Sequence, residues 1–146
     1  MYRHLITFNW VLGSVFFVIA IFYSKYNDHK IENKNKYAIQ IIEEIYKIEK
    51  LREESGKKYI YFDLGEIPSS LHKIVSVERY KEAGFVYEVK QDDNGGKLVI
   101  RAHASDDSIL NGELPPTTHS LIKNIKDGKV IRSYEEKNIT KSEASK

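Results

Sequence analysis

Residues 37 to 54 read YAIQIIEEIYKIEKLREE. Ala38, Ile41, Ile42, Ile45, Ile48 and Leu51 recur at steps of three and four, the period of an amphipathic helix. Glu43 with Lys47, and Lys50 with Glu54, are spaced for ion pairs one turn apart on the outer surface, each worth about 0.3 kcal/mol. Gly56 supplies a left-handed stop. Six apolar side chains on one stripe need a surface to bury against. The helix therefore predicts a second layer elsewhere in the chain.

Downstream, that layer reads as antiparallel sheet. Residues 57 to 62 (KKYIYF) suggest a short extended segment. After Pro68, Ser69 or Ser70 can cap a short helix carrying Leu71, Ile74 and Val75, and Ser76 a further turn ending at Gly84. Phe85, Tyr87 and Val89 then alternate with Val86, Glu88 and Lys90. Leu98, Ile100 and Ala102 alternate with Val99, Arg101 and His103. QDDNGGK between them tolerates positive φ, so the two runs predict a hairpin. Residues 105 to 118 predict a loop, because Pro115 and Pro116 oppose a central strand. HSLIKNI and KVIRSY flank Lys126-Asp127-Gly128, the signal of a second tight turn. The expected class is α+β, with the helix packed on a four-stranded antiparallel meander.

Upstream, residues 24 to 36 (SKYNDHKIENKNK) are polar and contain neither Pro nor Gly. They read as a tether or as a continuation of the helix. Before them, Leu5 to Tyr23 (LITFNWVLGSVFFVIAIFY) carries no charge. Nineteen helical residues span roughly 28 Å, close to the hydrocarbon thickness of a bilayer. Tyr2, Tyr23 and Tyr26 flank the segment as interfacial aromatics do. No Ala-x-Ala pattern follows to mark a cleaved signal. The expectation is a single-pass transmembrane anchor over residues 1–24, a tether or helix continuation over 25–36, an α+β domain over 37–136 and a frayed tail over 137–146. Lys25, Lys30, Lys34 and Lys36 lean the domain towards the cytoplasm.

Charge and motifs narrow the function classes. Of 23 Lys and Arg and 21 Asp and Glu, only Arg3 precedes the end of the apolar segment, so the rest of the chain is nearly balanced. No single-sign field attracts nucleic acid. The chain has no cysteine, which excludes disulfides and thiolate chemistry. His4, His29, His72, His103 and His119 form no HxxxH or HxH pair. Should their strands pair, His103 and His119 could approach each other, with Asp106 or Asp107 as a third ligand; sheet-surface histidines are the alternative. Asp92-Asp93-Asn94-Gly95-Gly96 offers oxygen ligands but lacks the rest of a calcium loop. There is no G-x-S-x-G elbow, no phosphate loop and no dinucleotide fingerprint. Tyr59, Tyr61, Phe62, Tyr80, Phe85 and Tyr87 line a groove or fill a core.

The order of elements resembles type IV pilins and type II secretion pseudopilins. The matching residues are Gly84-Phe85-Val86-Tyr87-Glu88-Val89, Gly95-Gly96-Lys97-Leu98-Val99-Ile100-Arg101-Ala102 and Asp127-Gly128-Lys129-Val130-Ile131-Arg132. The resemblance implies strands wrapped around the later half of an N-terminal helix, and a domain outside the cytoplasm. The only Gly in the apolar segment is Gly13, Val18 lies five residues beyond it, and no acidic residue precedes Asp28. This pattern fits an uncleaved anchor better than a filament subunit.

The expected function is that of a noncatalytic, membrane-anchored envelope protein with a pilin-like domain acting through protein–protein contacts. Its expected partners are the lipid bilayer and other membrane or envelope proteins, copies of itself among them, and not nucleic acid. No cofactor, metal or catalytic residue is assigned. Asn9, Gly13 and Ser14 are the candidates for lateral helix association, because small residues let another helix approach and Asn9 can hydrogen-bond across the contact. The alternative is a membrane-tethered small-ligand-binding or sensory domain.

Overall fold

The computed structural model describes residues 2–65, 67–71, 82–92 and 94–134, with side chains from Trp10 onward save Val11. The short helices expected after Pro68, with His72, Ile74, Val75 and Ser76, lie outside these residues, as do Asp93 and the tail from 137. The chain divides into two compact units, Met1–Glu32 and Asn33–Lys146.

A single helix, α1, runs from Tyr2 to Glu54. No Pro interrupts it, and its only Gly is Gly13. Residues 25–36 are thus helix rather than a loose tether. The helix ends in a Schellman turn. Gly56 adopts φ of 69°, its N–H donates to the Glu53 carbonyl at 2.9 Å, and the Lys57 N–H donates to the Arg52 carbonyl at 2.8 Å.

The second unit holds a five-stranded antiparallel sheet in the order β1 (Phe62–Gly65), β2 (Phe85–Gln91), β3 (Lys97–Ala104), β4 (Thr118–Asn124) and β5 (Val130–Ser133). Four strands were expected; β1 is the fifth. It has only four residues and slips register between Phe62 and Gly65, so it shows no alternation to read. A short helix, α2 (Asp106–Leu110), lies where a loop was expected. The Ser105 side chain caps it by accepting from the Ser108 N–H at 3.2 Å. Five residues are too few to reveal a helical period.

Both expected hairpins form with the anticipated turn chemistry. Asp92 Oδ1 accepts from the backbone of Gly96 at 2.7 Å and Lys97 at 2.8 Å. In the second, Asn124 and Asp127 accept from the N–H groups of Lys126 and Lys129.

The core joins two apolar surfaces. Ala38, Ile41, Ile42, Ile45 and Ile48 of α1 are buried. So are Phe85, Tyr87, Val89, Leu98, Ile100, Ala102 and Leu121, the inward positions of β2, β3 and β4. Leu51, expected in the helical stripe, is exposed instead. Polar side chains tie the same two layers. Arg132 grips Glu43 with both ends of its guanidinium, at 2.5 and 3.1 Å, and the Tyr134 hydroxyl donates to Glu43 at 2.6 Å. Lys123 pairs with Glu53, and His119 meets Asn35 at 3.1 Å.

Gly84 shows how tightly the entry to β2 is built. Its φ is 71°, and an added Cβ would lie 2.4 Å from Ser108 Oγ. Only glycine satisfies both the backbone and the space.

The transmembrane anchor is corrected. Among the described residues, no helix is long and apolar enough to cross a membrane. Lys25, Asp28, Lys30 and Glu32 follow Tyr23 within the same helix. The single-pass membrane assignment, the membrane localisation and the membrane part of the expected fold are overturned on this ground.

Candidate functional site

Two surfaces stand out, one on each unit. The first belongs to the early part of α1. Trp10, Leu12, Val15, Phe16, Phe17, Val18, Ile19, Ile21, Phe22, Tyr23 and Tyr26 are all exposed, Trp10 by 78% and Phe22 by 70%. A cluster of exposed large apolar side chains marks an interaction site more often than an isolated one does. Within the set, Trp10, Gly13, Ser14 and Phe17 border a shallow hollow of about 390 Å³. Among the described residues, a Cβ added to Gly13 would meet nothing within 4 Å, so the hollow is open above the glycine there. Gly13 and Ser14 therefore border the same hollow. Asn9 is in the same helix, but its side chain lies outside the described residues.

The second surface is the outer face of the sheet. Strand register places Val86, His103 and Thr118 side by side across β2, β3 and β4. The next row is Glu88, Arg101 and Ser120. Glu88 is only 5% exposed. Lys90 lies 2.7 Å from its carboxylate and Arg101 3.0 Å. Burial pushes the Glu88 carboxyl up, but hydrogen bonds from Lys90 and Arg101 outweigh it and leave the group below the usual carboxylate range. Glu88 is therefore an anion held by two cations. His103 continues the line, with Nε2 3.7 Å from Glu88 and Nδ1 3.0 Å from the Thr118 hydroxyl.

Beside this row lies a cleft of about 570 Å³. β1 contributes Leu64, β2 Val86, β3 His103 and α2 Asp106 and Ile109, with Pro116 from the loop before β4. No sequence motif marks these residues. The alternation along β2 and β3 does put Glu88 and His103 on one face, but it does not say that α2 closes one side.

The two histidines considered as partners point to opposite faces. His103 pairs with Thr118, whereas His119 pairs with Ala102. His119 is fully buried between Asn35, Phe85 and Tyr134, with ring centroids at 5.5 and 6.1 Å. A one-residue offset in register turned the side chains to opposite sides of the sheet. Asp92, considered as a calcium ligand, spends its carboxylate on the turn. The tyrosines do not form one groove. Tyr59 and Tyr61 meet edge to face at 6.2 Å, while Phe85 and Tyr87 are core residues. Tyr80 lies outside the described residues.

No known family, curated protein or solved structure matches the chain.

Proposed function

We propose that the chain acts without catalysis, through contacts with other proteins, copies of itself among them. The exposed apolar side chains between Trp10 and Tyr26 carry this reading. A helix apolar on all sides gains stability only when neighbours cover it. The order of helix and hairpins supports a pilin-like domain as the carrier of that helix. Gly13 and Ser14 are where a second helix approaches most closely, since among the described residues no side chain stands above Gly13.

Crosslinking of the full-length chain in its native cells, followed by sizing, tests the proposal. The native chain is expected in discrete crosslinked assemblies. Gly13→Ile fills the hollow and is expected to lower their yield several-fold. Phe16→Ser with Phe17→Ser is expected to abolish them. A chain that stays monomeric and captures no protein rules the reading out.

A further inference from the structure

We infer that the cleft beside His103 is a binding site for a small amphipathic amine, its cationic head on Asp106 and its apolar body against Leu64, Val86, Ile109 and Pro116. This inference stands apart from the contacts proposed for α1. It starts from size and shape. About 570 Å³ falls within the range of small-molecule sites, roughly 300–1,000 Å³. The walls come from β1, β2, β3, α2 and the approach to β4, so the folded domain builds the cleft before any ligand arrives.

Hydrogen-bond bookkeeping identifies the ligand class. The Thr117 hydroxyl donates to the Pro115 carbonyl at 3.0 Å. The Ser105 hydroxyl is shared with Ser108 at 3.0 Å. Thr118 and His103 are engaged with each other. Asp106 is different: among the described residues its carboxylate has neither a hydrogen-bond nor an ion-pair partner. It is the one polar side chain of the cleft with its full bonding capacity left over.

The surrounding charge points the same way. Asp63, Glu88, Lys90 and Arg101 are linked by ion pairs, and their formal charges cancel. Asp107 adds a further negative charge beside Asp106. An anionic ligand would meet the Asp106 carboxylate with no lysine or arginine among the lining residues. A neutral apolar ligand would take water from Asp106 and return nothing. A protonated amine on an apolar body satisfies the carboxylate and fills the aliphatic walls together.

Nuclear magnetic resonance titration of the full-length chain provides the test, with three probes sharing one ring system. Tryptamine carries the cation, 3-ethylindole is neutral and indole-3-propionate is anionic. Tryptamine is expected to shift the amide signals of Val86, His103 and Thr118 and to bind at least about tenfold more tightly than the other two. Asp106→Asn is expected to remove that preference. Asp107→Asn, one residue outside the lining, is expected to keep most of it. Both aspartates are exposed, and unchanged signals from β2 to β4 without ligand verify that each variant is folded. Equal binding of the three probes, undiminished tryptamine binding by Asp106→Asn, or no shift with about 10 mM tryptamine overturns the inference.

Discussion

Trp10–Tyr26 and Ala38–Ile48 belong to one helix, and both are rich in large apolar side chains. In the first stretch those side chains are exposed; in the second, Ala38, Ile41, Ile42 and Ile45 are completely buried. The amount of apolar surface does not explain the difference, because the first stretch has more. Its arrangement does. From Ala38 onward the apolar residues follow a three- and four-residue step, with Glu43, Lys47 and Lys50 between them, so one sheet face covers them all. From Val15 to Tyr23 every position is apolar or small. No single layer covers all sides of such a helix, and burial needs several neighbours.

The largest effect expected from this contrast is on stability. Ile45→Ala should cost about 3 kcal/mol, from lost burial and the cavity left behind. Phe22→Ala should cost less than about 0.5 kcal/mol, because it removes an exposed side chain. Urea denaturation of both variants measures the pair. Equal losses would break the contrast and mean that Phe22 is packed.

A smaller effect sharpens the account of the packed stretch. Hydrogen bonds from Arg132 hold the Glu43 carboxyl below its ordinary range, although burial works against them. A depressed carboxyl contributes stability above its unfolded value, near 4.3, and loses it as pH falls. Glu43→Gln should cost about 1.5 kcal/mol at neutral pH, a figure kept low because Arg132 remains partly solvated. It should also flatten the acid side of a stability profile taken from pH 3 to pH 8.

The smallest effect has the opposite sign. Glu49 lies two turns further along the same helix and is fully buried. Its Oε2 accepts from the Ile60 N–H at 3.0 Å, while Oε1 has no hydrogen-bond partner among the described residues. Burial pushes this carboxyl up, beyond what the Ile60 bond and Arg52 offset. A raised carboxyl contributes its stability below the unfolded value and loses it as pH rises through the folded one. Glu49→Gln should therefore gain up to about 1 kcal/mol at pH 8 and nothing at pH 4. Denaturation midpoints at the two pH values check this. A gain confined to pH 4 would reverse the assignment.

Much of the packed domain was legible in the residues. The isoleucine spacing located the buried face of α1, and alternation located the inward positions of β2 and β3. Asp92 and Asp127-Gly128 announced their turns through side chains that bond their own backbone. β1 was not legible, because a four-residue strand with a register slip has no period. Nor was α2, whose five residues lie near two prolines. The apolar stretch at the start was legible as apolar but not as an anchor: among the described residues no helix is long and apolar enough to cross a membrane. The cleft escaped altogether: Leu64, Val86, His103 and Asp106 are distant in sequence, and nothing local in any of them signals the others.

Sequence patterning by itself determined that an amphipathic helix would meet an antiparallel sheet and which faces of each would turn inward. Helical and strand periods are local properties, repeated every few residues, so no contact between distant parts is needed to read them. Only the tertiary structure decided the strand register. That register set His103 and His119 on opposite faces, gave Glu43 its arginine, and left Asp106 beside an aliphatic cleft. Each depends on pairings between residues far apart in the chain, whose geometry exists only after the sheet has closed against the helix.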